Sequence, residues 1–326
     1  MAIRKVADAY TTHRGNLRAG NYGKRGTDRY AKAATTVLTF RPEAAQPYDD
    51  RILSWDHQNR TVSIWVVDTG TGTPGRLKGV PFTGRPDHLA VLATHRKGES
   101  DLLFRDGAWY LIATIDIDAP PVTEPAGFTG VDLGIEKIAA TADETGVIGS
   151  DWSGGAVTTR RKKNLALRRK LQAKGTKSAK RLLKKRSKKE ARFARDVNHQ
   201  ISKQVVAEAK RTGRGIAVED LTGIRARVRH RKPQRATFSS WAFRQLGDFL
   251  AYKAEAAGVA FVQVEAAYTS QTCSVCGVID RRSRKGQATW SCRHCGVSLN
   301  ADHNAAINIA RRGVMAWGAV NRPHAA

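Results

Sequence analysis

Gly130-Val131-Asp132-Leu133-Gly134-Ile135, followed by Lys137-Ile138-Ala139-Ala140-Thr141, is the stretch on which the fold turns. It reads as one long apolar strand with a carboxylate inside it. Asp143-Glu144-Thr145-Gly146 then turns the chain into a second strand near Val147-Ile148. A carboxylate within an apolar strand is costly unless it is paired or binds metal. Asp132 is therefore a candidate functional residue.

Downstream lies the densest charge run of the chain. From Arg160 to Arg195, 18 of 36 residues are Lys or Arg, and only Glu190 is acidic. Leu165, Leu171, Leu182, Leu183 and Phe193 punctuate the run without making a full apolar face. The pattern predicts a pair of helices that need an external anion. A merely solvated face is the alternative, but such faces normally mix signs. Ile201 to Lys210 continues as helix, and Gly215-Ile216-Ala217-Val218-Glu219 reads as a short buried strand. Ser239-Ser240 starts a helix that puts Ala242, Leu246, Phe249, Leu250, Lys253 and Ala257 on one face, with Gly258 as its cap. Val259 to Val264 is another strand, and Asn304 to Arg312 a final helix with Asp302 just before it. Strands alternating with helices make this part α/β.

Upstream the pattern is different. Arg60 to Val67 alternates apolar and polar residues, as a half-buried strand does. Leu77 to Phe82 reads as a strand, and Asp101 to Arg105, Asp106-Gly107 and Trp109 to Ile115 as a hairpin. Residues 36–118 are thus β-rich, and a small barrel is expected. Arg14 to Lys32, rich in Gly, Arg and Lys, is weakly patterned. Pro120, Pro121 and Pro125 mark a domain boundary.

Composition narrows the function. The 326 residues carry 56 Lys+Arg against 29 Asp+Glu, a net charge of +27 and a pI of about 10.5. Such self-repulsion favours a polyanionic partner. No segment pairs a basic face with a strong Trp/Phe/Leu face, so nucleic acid is the better partner and a membrane surface the poorer one. No apolar run approaches the ~18 residues of a membrane span. No apolar stretch follows Met1-Ala2-Ile3-Arg4-Lys5, so a cytosolic protein without a signal peptide is expected.

All four cysteines lie in Cys273-Ser-Val-Cys276 and Cys292-Arg-His-Cys295, a C-x2-C-x15-C-x2-C spacing that suits zinc. Four thiolates close a tetrahedral Zn²⁺ site with no open position, so such a metal is structural. Disulfides are the alternative, which a cytosolic chain disfavours. Gly277 and Gly296 follow the two pairs, where a knuckle needs backbone room, and His294 is expected to be exposed. Gly70-Thr-Gly72-Thr-Pro-Gly75 fits G-x-G-x-x-G but carries Pro74 and is followed by a strand, so it reads as a hairpin loop rather than a phosphate cradle. Glu219 and Asp302 join Asp132 as candidates for a shared site. Each has a plainer reading, Glu219 as a strand-end surface residue and Asp302 as a helix cap. Asp116 and Asp118 read as surface.

Together these segments resemble a known family. Gly130-Val-Asp132-Leu-Gly134-Ile, Val218-Glu219-Asp220-Leu221, the two cysteine knuckles and Asn300-Ala-Asp302-His-Asn304-Ala-Ala-Ile-Asn308-Ile are similar to segments of the transposon-encoded TnpB (OrfB) proteins, RNA-guided DNA nucleases related to compact type V CRISPR effectors. Tyr268-Thr-Ser-Gln-Thr-Cys273 and Ser239-Ser-Trp241-Ala-Phe243 look like family segments too, and the resemblance covers most of residues 50–312. It implies an RNase H-like RuvC nuclease domain (residues 127–265 and 297–326), an inserted zinc ribbon (266–296) and a preceding β-rich wedge domain (1–126). It implies Asp132, Glu219 and Asp302 as nuclease carboxylates holding Mg²⁺ or Mn²⁺, with two metal ions about 3.5–4 Å apart activating water and stabilising the leaving oxygen. Guide RNA and target DNA are the implied partners, with no membrane and no small-molecule substrate. A non-cutting or guide-independent DNA-binding regulator, and a transposase with the same nuclease fold, are the competing readings. Where the family usually has a further Asp, this chain has Asn300. Ile3 to Tyr10 looks like an interior segment of longer relatives, which carry a first wedge strand and a helical recognition lobe before it. The chain is expected to be either naturally minimal or begun at an internal start.

Overall fold

Two units make up the chain in the computed structural model, Met1–Asp118 and Ala119–Ala326. The structure describes residues 2–41, 43–134, 136–221, 243–286 and 288–321. Ile135, the expected helix start at Ser239-Ser240 with Trp241 and Ala242, and residues 322–326 lie outside them.

The first unit opens with helices α1 (Ala2–Arg18) and α2 (Asp28–Thr35). The weakly patterned Arg14 to Lys32 spans the end of α1, the connection and the start of α2. Thr27 caps α2 by accepting a hydrogen bond from the Tyr30 amide at 3.3 Å. Strands β1 (Gln46–Tyr48), β2 (Leu53–Asp56), β3 (Thr61–Val66) and β4 (Gly75–Pro81) follow, then helix α3 (Pro86–His95) and strands β5 (Arg96–Arg105) and β6 (Ala108–Ile115). They form two three-stranded sheets, ordered β1-β5-β6 and β2-β3-β4. Leu53, Val62 and Ile64 are buried, with Tyr48, Leu102 and Leu111 packed against them, so residues of both sheets share one core. Gly70 to Pro74 lie in the β3–β4 connection and Gly75 opens β4, and the Asp68 carboxylate accepts from the Gly70 and Gly72 amides. Asp116 is an exposed partner of Lys97, at 2.6 Å.

The proline-rich segment is tied to the second unit. The Thr123 amide donates to the Gly258 carbonyl, the Ala126 amide to the Gly213 carbonyl, and the Trp317 indole to Glu124. Beyond it, the stretch read as one long strand is two. β7 (Phe128–Asp132) and β8 (Lys137–Asp143) pair antiparallel, so Asp132 stands at a strand end and not inside a strand. Gly134 makes the reversal possible. Its amide donates to the Ile138 carbonyl, and a Cβ there would meet the Lys137 carbonyl oxygen at 2.8 Å. β9 (Ile148–Ser153) continues the meander.

Helices α4 (Gly155–Lys174) and α5 (Lys177–Thr212) carry the basic run. Gly175, in the left-handed region at φ 64°, ends α4, and the Thr176 hydroxyl caps α5. Then come β10 (Gly215–Glu219), α6 (Phe243–Ala257), β11 (Phe261–Val264), β12 (Thr289–Ser291), β13 (Ser298–Asn300) and α7 (Ala301–Asn321). The five-stranded sheet is ordered β11-β10-β7-β8-β9, with β7, β10 and β11 parallel and β8 antiparallel to both of its neighbours. On one face α5 and α6 bury Val131, Ile138, Val205, Ile216, Val218, Leu246 and Leu250. On the other α7 covers Phe128, Ala217 and Ala142. A fully buried Val, Ile or Leu side chain stabilises by about 1.5–3 kcal/mol. Ile201, Val205, Val206 and Ala209 therefore anchor the second half of α5. Among the described residues, its first half has no comparable set. It is held against α4 by the Arg160 guanidinium over the Phe193 ring at 3.9 Å and by Arg186 donating to Asn164 at 2.7 Å.

Candidate active site and metal centre

The sheet register puts Asp132, Ala140 and Asp151 in one row, since Asp132 pairs with Ala140 and Ala140 with Asp151. Residues paired across strands point to the same face. Val218 pairs with Val131, so Glu219 stands beside Asp132 at the ends of the two parallel strands. Helix α7 lies over this face. It can approach because Gly130 has no side chain: a Cβ there would meet the Ala306 carbonyl oxygen at 2.0 Å. Asp302 sits in the first turn of α7, not before the helix, and is buried. Asn300 fills the capping position. Its side-chain oxygen accepts from the Asp302 amide at 3.0 Å and the His303 amide at 3.4 Å. A cap explains the asparagine in chemical terms.

Asp132, Glu219 and Asp302 are thereby gathered at one end of the sheet. Burial pushes the Asp132 carboxyl well above the ordinary carboxylate range, and the charges of Glu219 and Asp302 push it further. Burial also raises Glu219 and Asp302. Two cations oppose this. The Arg284 guanidinium, 3.6 Å from Asp302, lowers all three carboxyls, and Lys137 lowers Asp132 and Asp302. The Thr269 hydroxyl donates a short hydrogen bond to Glu219 and fixes its orientation. The three acids are thus electrostatic neighbours at one end of the sheet, and Asp132 feels both of the others.

Next to them the Lys137 ammonium lies 2.5 Å from Asp151, 3.2 Å from His303 Nε2 and 3.4 Å from the Asn300 side-chain oxygen. The sequence reading missed Lys137, Asp151, Arg284 and Thr269. Arg284 belongs to the run Arg281-Arg282-Ser283-Arg284, which nothing in the sequence separates from the other basic surface.

The four cysteines form the second group. All four Sγ atoms lie within 4.8 Å of one another, with Cys273–Cys295 at 3.8 Å and Cys276–Cys292 at 3.6 Å. Zn–S bonds of ~2.3 Å in a tetrahedron put sulphurs about 3.8 Å apart. The two knuckles repeat one backbone pattern. Cys273 and Cys292 amides donate to the Val278 and Val297 carbonyls, and Gly277 and Gly296 amides donate back to Cys273 and Cys292. Both glycines have positive φ, 74° and 75°. Backbone amides of Cys295 and His294 pull the Cys292 thiol down to about 6. Cys276, despite the Val278 amide, is pushed up to about 12 by burial and by the neighbouring sulphurs. Four thiolates at this spacing need a cation, and the donor set fits Zn²⁺. His294 is exposed.

The ribbon is fastened to the carboxylate end of the sheet. Asn304 and Asn308 on α7 donate to the Thr272 carbonyl at 2.8 and 2.7 Å, Asn308 also reaches the Thr269 carbonyl, and the Ser274 amide donates to Asn304. Among the described residues, no helix is long and apolar enough to cross a membrane.

Comparison with known proteins gives two family matches. Residues 243–309 match the Cas12f1-like TNB domain, and residues 110–225 match the OrfB_IS605 family, described as a probable transposase. Over 121 residues the chain is 44% identical to the CRISPR-associated endodeoxyribonuclease Cas12f1 of Sulfoacidibacillus thermotolerans, covering 37% of this chain and 27% of that one. Over 152 residues it is 33% identical to the TnpB-like protein MJ0751 of Methanocaldococcus jannaschii, covering 46% and 54%. The chain thus spans about a quarter and about half of these two relatives. The fold is similar to that of Cas12f1 in a cryo-EM structure of a Cas12f1–sgRNA–target DNA complex, with a TM-score of 0.56 at 18% identity, covering 76% of this chain and 59% of that one.

Proposed function

We propose, from the two family matches and the TnpB-like and Cas12f1 relatives, that the chain is an RNA-guided DNA endonuclease of the TnpB family, related to the compact type V effectors. The observation that carries the reading is the convergence of Asp132, Glu219 and Asp302 at the end of one sheet, with Arg284 reaching them from the ribbon. The strand order β11-β10-β7-β8-β9, with the first two carboxylates on its adjacent parallel strands, supports an RNase H-like RuvC domain over 127–265 and 297–326. The ribbon at 266–296 interrupts it, and the two-sheet unit before it supports a wedge domain that ends at Asp118 rather than at the expected 126.

Asp132, Glu219 and Asp302 would hold Mg²⁺ or Mn²⁺. Bound there, the metal supplies an activated water and stabilises the leaving oxygen of a phosphodiester. Thr269 orients Glu219, and the Asn300 cap orients Asp302. Arg284 supplies a cation where the scissile phosphate would add negative charge. Cys273, Cys276, Cys292 and Cys295 would hold Zn²⁺ and so fix the ribbon that carries Arg284. The basic helices α4 and α5 would carry the phosphate contacts. The test is to purify the protein from cells that carry its own locus and sequence the RNA that comes with it. One enriched RNA species ending in a segment that directs cutting of a matching DNA is expected. A nucleic-acid-free protein, or cutting indifferent to the RNA, would overturn the guided reading.

A further inference from the structure

Asp151 has no part in the carboxylate set just described, yet it occupies the same row of the sheet as Asp132, with only the methyl group of Ala140 between them. Its carboxylate is bonded to the Lys137 ammonium and the His303 imidazole, and its charge also acts on Asp302. Lys137 Nζ is 2.5 Å from Oδ2, and His303 Nε2 is 2.9 Å from both oxygens. These bonds outweigh burial and hold Asp151 below the ordinary carboxylate range. Lys137 is a charged group on a flexible four-carbon stem. Its field already acts on Asp132 and Asp302. The ammonium is bonded instead to Asp151, with His303 and Asn300 beside it.

We propose that Asp151 is a positioning residue whose carboxylate holds Lys137 off the Asp132–Glu219–Asp302 group and thereby sets that group's affinity for divalent cations. The inference rests on the reading of those three acids as a metal site. Without that bond the ammonium is left with Asp132 and Asp302, on which its charge already acts, and can swing toward them. An ammonium seated there competes directly with a divalent cation. Removing both Asp151 and Lys137 removes the competitor together with its tether. The pair therefore has a sign that a simple loss of packing or a lost ligand lacks: the second substitution repairs the first.

The experiment uses full-length zinc-loaded protein without nucleic acid, titrated with Mn²⁺ and read by the electron paramagnetic resonance of free Mn²⁺. Wild type should bind Mn²⁺, and Asp132→Ala should abolish that binding. Asp151→Ala should weaken it about tenfold, the order expected when one charge moves a few ångströms at a partly buried site. Asp151→Asn, which keeps the side-chain shape, should weaken it in the same direction. The double variant Asp151→Ala/Lys137→Met should return to within about threefold of wild type. If the double variant stays as weak as Asp151→Ala, Asp151 is itself a ligand and the proposal is overturned. If Asp151→Ala and Asp151→Asn both bind as wild type does, it is overturned as well, with the metal site intact. If wild type shows no Mn²⁺ binding sensitive to Asp132→Ala, the metal-site reading falls first and this inference with it.

Discussion

The Arg284 guanidinium lies 3.6 Å from the Asp302 carboxylate, joining the ribbon to the first turn of helix α7. The same guanidinium lowers Asp132 and Glu219, so one side chain of the ribbon balances three acids drawn from β7, β10 and α7. Arg284→Ala should leave nucleic-acid affinity near wild type and slow DNA cleavage by about 10²–10³-fold, the usual loss when a fixed donor to developing charge is removed. Arg284→Lys keeps the charge without the planar fork and should recover part of the rate. Single-turnover cleavage beside a binding titration separates the two effects.

Zinc should be present at one ion per chain. The ribbon buries Cys273, Trp290 and Cys292, with Ala301 of α7 packed against them, a core too small to fold without metal. Cys276→Ser should remove the metal and loosen the ribbon, with loss of protection against proteolysis around 273–296. Elemental analysis with limited proteolysis reads both. A metal-free chain with an ordered ribbon would contradict the assignment.

Gly130→Ala tests the close approach of α7 to β7. The added methyl would meet backbone atoms, the Ala306 carbonyl oxygen at 2.0 Å and the Ala310 nitrogen at 2.5 Å, so the helix must shift. Overpacking of this kind costs about 1–3 kcal/mol. The denaturant midpoint should fall, and because Asp302 rides on the same helix, cleavage should fall further than stability alone explains.

The basic helices should dominate binding. Lys162, Lys163, Arg169, Lys180, Lys184 and Lys185 are exposed on α4 and α5. Each neutralised phosphate contributes a slope of about −0.9 in log K against log salt on duplex DNA, and about −0.7 on single strands. Changing all six to Gln should flatten the slope by several units. An unchanged slope would mean that the run is a solvated face.

Part of this was legible in sequence because it is local. The C-x2-C knuckles need only four residues and a glycine each, and Gly277 and Gly296 take the positive φ that their position implies. The α/β pattern of β10, α6 and β11 follows from apolar period and from Gly258, which takes a positive φ of 67°. The β7–β8 reversal was not legible. Both strands are apolar, and the only break between them is a turn built around Gly134. Helix α1 was missed because none of its described side chains is fully buried and its sequence is polar on average. Lys137, Asp151 and Arg284 are ordinary surface residue types until the fold joins them to distant partners. Lys137 meets His303 across 166 residues. The proposed triad had only the order of its motifs as a signal, and what brings its members near one another is the register of β7 with β10 and the missing side chain at Gly130.

The most direct measurement compares wild type with Asp132→Ala, each purified with its bound RNA, on DNA matching that RNA in the presence and absence of Mg²⁺. Wild type should cut only with the metal, and the variant should bind the DNA and RNA equally well and not cut. Equal cutting by the variant, or cutting by wild type in the presence of a chelator, would contradict a nuclease built on Asp132, Glu219 and Asp302.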